Sequence, residues 1–186
     1  FGNARMTYNY RMSEFHGAIG KIRLKKLDQM NLTRHENAEI LTTEFTDLDG
    51  LSPLQTREGC RSVYYNYVLL YDEAKMGIDR SRFKDAVNAE GVELISMYSP
   101  LHRHPIMKER NAFGHGMPFQ FSGASAKKDD PNASYPVTEE ICDRRVLEIK
   151  VHPPCGREEM LDTVNAIRKV IQAKDQLIAA ETEKEV

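Results

Sequence analysis

Apolar residues recur at three- and four-residue steps along the first quarter of the chain: Phe15, Ala18, Ile19, Ile22, Leu27, Met30, Ala38, Leu41 and Phe45. That is the period of one face of an α-helix. Lys21, Arg23, Lys25, Lys26, Asp28 and Glu36 fall largely on the other faces. Ser13 stands where an N-cap belongs, and Glu14 suits the first turn of the positive helix end. The pattern is long for one globular helix. A kink is expected near 31–33, where Asn31 and Thr33 are weak helix formers. Residues 1–12, polar and aromatic, read as a loop.

Beyond the helix, Gly50, Pro53 and Gly59 mark loops, with 51–54 extended between them. Residues 62–72 are rich in Tyr and Val and read as a strand. Apolar groups occur on both of its faces, which predicts a central position in a sheet. Asp79 reads as the N-cap of a short helix carrying Phe83, Ala86, Val87 and Glu90, and Gly91 as its left-handed C-cap. Residues 92–95 read as a second strand. Residues 103–136 have weak periodicity and many Gly, Pro, Asn and His, and are expected to be irregular. Thr138 is expected to cap a short helix running through Arg144. Residues 146–151 read as a third strand, and Pro153-Pro154 breaks the chain. Gly156 precedes a last amphipathic helix with Met160, Leu161, Val164, Ile167, Val170 and Ile171 inward. Residues 181–186 read as a charged, fraying tail. A small sheet covered by helices, an α+β layer architecture, fits this order.

With 186 residues the chain can bury a sizeable core, and 40% hydrophobic and 29% charged residues are ordinary for a soluble protein. A net charge of -2 and a pI near 6.3 argue against nucleic acid as a partner. No apolar run approaches the roughly 20 residues that a membrane helix needs. Cys60, Cys142 and Cys155 are far apart and form no CxxC pair, which predicts reduced thiols and a cytoplasmic protein. The chain starts at Phe1 with no leader-like segment and reads as the interior of something longer.

Several short patterns carry possible chemistry. His102-Arg103-His104, with His115, alternates as metal ligands on a strand do, although an imidazole facing solvent or substrate explains it as well. Ser125-Ala126-Lys127-Lys128 matches S-x-x-K, yet Gly123, Asp129, Asp130, Pro131 and Asn132 around it make a loop, which does not desolvate a lysine. Asn3-Ala4-Arg5-Met6 and Asn9-Tyr10-Arg11-Met12 are near copies. An Asn amide and an Arg fork before a helix can bind an anion, and an ordinary polar loop has the same composition.

The stretch Asn9-Tyr10-Arg11-Met12-Ser13-Glu14-Phe15, followed by Ala18-Ile19-Gly20, Leu24, Leu27-Asp28, Arg34 and Asn37-Ala38, resembles the DegT/DnrJ/StrS family of pyridoxal-phosphate aminotransferases. Tyr98-Ser99-Pro100-Leu101-His102 is similar to the family's Y-x-P-L-H segment, and Tyr135-Pro136-Val137-Thr138-Glu139 to its P-x-x-E segment. Residues 146–152, Glu158-Glu159-Met160 and residues 164–170 resemble the last strand and closing helix. Arg23 departs from the Gln often found there, and residues 103–134 do not align.

This resemblance implies the α+β C-terminal small domain of a fold-type-I transferase: a small, mostly antiparallel sheet covered by helices and preceded by a long connecting helix. It implies residues 1–12 as the end of a large domain, 13–48 as the connecting helix and 49–186 as the small domain. It also implies pyridoxal 5'-phosphate as cofactor, with Asn9 at the cofactor phosphate of the other subunit in a homodimer with shared active sites, and Tyr10 and Arg11 lining the same cofactor-binding site, where Arg11 suits a phosphate or a substrate carboxylate. Tyr98 and His102 are expected on the substrate side, and no metal is expected. The implied reaction takes an amino group from glutamate or glutamine to a keto-sugar, often nucleotide-linked, or to a cyclitol. The Schiff-base lysine is expected outside this chain, which alone is then inactive and, with Phe15, Ile19 and Ile22 unpartnered, prone to associate. A dehydratase that replaces the lysine and a non-catalytic regulatory relative are the alternatives.

Overall fold

The computed structural model describes residues 11–109, 117 and 133–182. The long helix is continuous: α1 runs Glu14–Phe45, 32 residues. Ser13 is its N-cap, and its Oγ accepts from the His16 N–H at 3.4 Å. The expected kink is not there, because the two weak helix formers are satisfied within the helix. Thr33 Oγ1 donates back to the Gln29 carbonyl at 3.2 Å, and the Asn31 side chain accepts from Arg34 at 3.0 Å.

Burial along α1 is lopsided. Asn37, Ala38, Leu41 and Phe45 are buried, whereas Phe15, Ile19 and Ile22 are 82%, 58% and 52% exposed. The apolar pattern is one stripe, but only its C-terminal end meets the core.

Short strands follow: β1 (Leu51–Pro53), β2 (Tyr67–Tyr71), β3 (Leu94–Ser96) and β4 (Val146–Ile149). Among the described residues they form one antiparallel sheet in the order β1-β2-β4-β3, so β2 is internal, as its two-sided pattern predicts. The strand expected over 62–72 is shorter than that. Tyr64 takes a positive φ of 47° and its ring packs edge-on to His35 and against Tyr67, so the chain turns before pairing begins at Tyr67. Aromatic content alone did not separate turn from strand.

Helix α2 (Glu73–Met76), unforeseen, is one turn capped by Asp72 and closed by Gly77 in the left-handed conformation. Helix α3 (Arg80–Ala89) is capped as expected by Asp79, whose carboxylate accepts from the N–H groups of Ser81 and Arg82. A 3-10 turn, Leu101–Arg103, leads into the segment read as irregular, which contains a short helix α4 (Pro105–Glu109).

Helix α5 (Pro136–Glu140) starts two residues before the expected Thr138 cap, because Pro136 fixes φ at the first helical position. It widens into a π-turn over Ile141–Arg145 that delivers the chain to β4. The last expected helix is two, α6 (Arg157–Gln172) and α7 (Lys174–Thr182). The Gly156 N–H donates to Glu159 at 2.8 Å at the start of α6. Met160, Val164, Ile167 and Val170 are buried as read, while Leu161 and Ile171 are half-buried.

Alternate strand residues Tyr67, Leu69, Tyr71, Leu94, Leu147 and Ile149 pack with α1, α3 and α6 in one core cluster. Each such fully buried side chain contributes about 1.5–3 kcal/mol. The intervening residues Val68, Leu70 and Ile95 are only half-buried, so the second face of the sheet is incompletely covered. Asn37 ties α1 to the chain after β4: its amide donates to the carbonyls of Val151 at 3.2 Å and Cys155 at 2.9 Å. Among the described residues no helix is long and apolar enough to cross a membrane.

Candidate functional site

His102 lies in the 3-10 turn after β3, and Glu139 in α5, which starts at Pro136. The fold brings their side chains together, with His102 Nε2 3.0 Å from Glu139 Oε1. Glu139 is held from several sides. Its carboxylate accepts from the Tyr135 N–H at 2.9 Å and from the Ser134 hydroxyl at 3.4 Å, and Arg103 approaches it at 3.6 Å. The Tyr135 N–H holds the Glu139 carboxyl below the usual carboxylate range. Partial burial opposes this, while Arg103, His102 and Ser134 add to the lowering.

Arg103 is itself anchored, its Nη1 donating to both Asp143 oxygens at 3.0 and 2.8 Å. The His102 ring packs against Tyr135 with centroids 4.9 Å apart. A carboxylate that accepts from Nε2–H leaves Nδ1 as the second hydrogen-bonding atom of the imidazole.

Tyr98 belongs to a second group of side chains. The neighbouring Tyr65 side chain raises the Tyr98 phenol above its ordinary value, and burial and the negative Glu148 add to the rise. The Tyr65 ring stands edge-on to His152, centroids 6.3 Å apart. Burial, with Arg34 and Lys150 nearby, holds the His152 imidazole below its usual range. Glu148, 6% exposed, accepts a hydrogen bond from the Asn66 amide.

The other sequence candidates separate. Asn9 and Tyr10 lie outside the described residues, as do Asn3, Arg5, His115, Ser125 and Lys128. Arg11 is described and exposed, two residues before the Ser13 cap of α1. A guanidinium beside a helix N-terminus suits a phosphate, so this end of the chain fits the anionic part of the implied cofactor. The carbonyl of His104 accepts from the N–H groups of Met107 and Lys108 and so starts α4, while His102 is paired with Glu139. Among the described residues no group of three or more His, Cys, Asp or Glu could hold a metal ion. An imine-forming lysine needs desolvation. None of the described lysines is buried, and Lys84 and Lys174 are the half-buried ones.

Sequence reading did not single out Asp143, Asn66, Tyr65 or Glu148. Glu148 left a signal, the one acid within the apolar run 146–149. The others depend on contacts between distant segments.

Known proteins similar to this chain identify its family and fold. L-glutamine:2-deoxy-scyllo-inosose aminotransferase of Streptoalloteichus tenebrarius is 32% identical over 183 residues, 94% of this chain and 41% of that protein. The spore coat polysaccharide biosynthesis protein SpsC of Bacillus subtilis is 27% identical over 90% of this chain and 39% of its own length. The chain thus spans about two fifths of the length of the curated relatives it matches. Among solved structures, S. venezuelae DesV in complex with a ketimine intermediate superposes with a TM-score of 0.71 at 20% identity, over 92% of this chain and 40% of that one. A putative sugar aminotransferase of Streptococcus pneumoniae in its PMP form gives 0.71 at 14% identity, over 95% and 39%. The α+β fold read from the sequence, a small antiparallel sheet with helices and a long leading helix, is the one these structures share. The family model described as DegT/DnrJ/EryC1/StrS aminotransferase matches residues 1–168, and the chain belongs to that family.

Proposed function

We propose that the whole protein is a pyridoxal-phosphate-dependent aminotransferase that moves an amino group from glutamate or glutamine to a keto-sugar or cyclitol. This chain would supply part of the phosphate anchor and one wall of the acceptor site. The observation that carries the reading is the His102–Glu139 pair, seated in the two family segments that contain them. Glu139, fixed by the Tyr135 N–H and backed by Arg103, orients the imidazole. Nδ1 of His102 can then bond a hydroxyl of the acceptor, with the exposed phenol of Tyr98 as a further contact.

At the other end of the chain, Asn9 offers a directed amide and Arg11 a planar fork to the cofactor phosphate, with Tyr10 beside them. These residues serve the site of the second subunit in a homodimer. Pyridoxal phosphate supplies the electron sink for removal of the proton next to nitrogen. The lysine that moves that proton is assigned to a segment outside this chain, and the chain alone is inactive. In this reading 1–12 ends a large domain, 13–48 connects and 49–186 is the small domain of a cytoplasmic enzyme.

The relative from Streptoalloteichus tenebrarius points to the first pair to assay, glutamine and 2-deoxy-scyllo-inosose. The test is the absorbance of the full-length protein with pyridoxal phosphate before and after borohydride, then with glutamine or glutamate added. A reducible band that either donor discharges is expected. A protein that binds no pyridoxal phosphate overturns the reading.

A further inference from the structure

Arg103 stands between two carboxylates and divides itself unequally. Its Nη1 donates to both oxygens of Asp143, at 3.0 and 2.8 Å, whereas its Nη2 stops 3.6 Å from Glu139 Oε2. The second separation is too long for a hydrogen bond and acts through charge alone. Arginine frequently meets a carboxylate as a fork, with two parallel bonds to its two oxygens. Here neither acid receives the fork: one nitrogen serves Asp143, and the other is left short of Glu139.

The two acids are not equal partners. Glu139 is the better shielded, its side chain 25% exposed against 43% for Asp143. An ion pair gains strength as water is excluded, so an Arg103 released from Asp143 would turn to Glu139. Glu139 cannot take a fork without loss. Its Oε1 already accepts from the Tyr135 N–H at 2.9 Å and lies 3.0 Å from His102 Nε2. A fork across both oxygens brings a third donor to Oε1, and that donor is a permanent cation. The Tyr135 N–H is fixed by the backbone, so His102 is the partner that leaves. Asp143 in turn is placed by the π-turn Ile141–Arg145, a rare element found frequently at functional sites.

We propose that Asp143 is a positioning residue for His102: by holding Arg103 it keeps the guanidinium from forking onto Glu139, and so leaves Oε1 to the imidazole. This rests on the reading of His102 as an acceptor-binding group of an aminotransferase. Diversion and support differ in sign. If Asp143 only buttressed Arg103, and Arg103 only buttressed Glu139, removing the arginine as well would leave His102 no better held. If Asp143 diverts Arg103, removing the arginine restores the bond that loss of Asp143 breaks. Residues of one ion-pair network couple in this non-additive way.

The test is nitrogen NMR of the full-length protein with isotope-labelled histidine, at mildly alkaline pH. The His102 signals are identified by their loss in His102→Gln. In the wild type they are expected to show mainly the tautomer with hydrogen on Nε2. Asp143→Ala should lower the ratio of this tautomer to the Nδ1–H form roughly tenfold, the scale of one hydrogen bond to a charged group. Asp143→Ala combined with Arg103→Met should return the ratio to within about twofold of the wild type. Thermal melting establishes that the variants are folded. If Asp143→Ala is not, Asp143→Asn, which keeps the shape and removes the charge, replaces it in both steps. A folded Asp143 variant with wild-type His102 signals overturns the proposal, as does a loss that Arg103→Met does not reverse. A protein that binds no pyridoxal phosphate overturns the aminotransferase reading instead, and the His102 signals still decide the role of Asp143.

Discussion

Nε2 of His102 and Oε1 of Glu139 lie 3.0 Å apart, joining a turn after β3 to a helix more than thirty residues further along the chain. The polar groups around the pair act on the carboxylate: a backbone N–H, a hydroxyl and Arg103 of the Arg103–Asp143 ion pair. The acid is the fixed partner and the imidazole the oriented one.

That asymmetry sets a pH dependence. The folded pKa of Glu139 is lowered, first by the Tyr135 N–H. The order its carboxylate imposes is therefore complete above the unfolded glutamate value of about 4.3, and is lost as pH falls through the lower folded value. A carbon-detected NMR titration should give Glu139 a midpoint below about 4.3. A midpoint at or above that value would mean that the contacts are not formed in solution.

The Asn37 amide bridges two carbonyls from a buried position, 2% exposed. Asn37→Ala leaves both without a donor and should cost about 1–3 kcal/mol in urea unfolding. A loss under about 0.5 kcal/mol would show that water or neighbouring N–H groups replace the amide.

Tyr71 and Phe83 pack with ring centroids 5.2 Å apart, and the Tyr71 hydroxyl donates to the Ile78 carbonyl at 2.8 Å. Phe83→Ala should cost about 3–5 kcal/mol. Tyr71→Phe, which removes the hydrogen bond alone, should cost about 0.5–1.5 kcal/mol. Denaturant midpoints at constant slope separate the two effects.

Gly50 has a φ of +87°, and a Cβ there would meet Met76 Sδ at 2.6 Å. Met76 is buried, so it has little room to move. Gly50→Ala combines left-handed strain with a clash, and should lower stability by more than about 1 kcal/mol. A neutral result would place the turn in another conformation.

Phe15, Ile19 and Ile22 leave the apolar stripe of α1 open to solvent over its first turns. The 186-residue chain by itself should associate at micromolar concentration, and Phe15→Glu with Ile19→Lys should reduce this. Sedimentation velocity reads the outcome, and a monomeric wild-type chain would contradict the expectation.

The legible parts of this fold were those written in local chemistry. The caps at Ser13 and Asp79, the left-handed Gly91 and the inward stripe of α6 each follow from residues within a few positions of one another. The break at Ala173 between α6 and α7 carries no Gly or Pro, and so gave no sign. Tyr64, whose positive φ ends the strand early, looked like any other aromatic in a strand-rich run. At the candidate site, Tyr98, His102 and Glu139 came from family segments, but the pairing of His102 with Glu139 is settled by folding. Asn37 shows the reverse: quoted as part of a family motif, it is a fastener between α1 and the loop after β4.

The lopsided burial of α1 makes that helix a lever. Its fulcrum is the anchored end from Asn37 to Phe45, and about 34 Å of rod precedes it at 1.5 Å per residue. Tilting the rod by about 5° at the fulcrum would carry its far end through roughly 3 Å, the length of a hydrogen bond. The reach of Arg11, just beyond that far end, is therefore governed by two carbonyl bonds at Asn37 and the packing of Leu41 and Phe45. A substitution deep in the core can displace Arg11, and with it the phosphate contact proposed for that residue, without touching either.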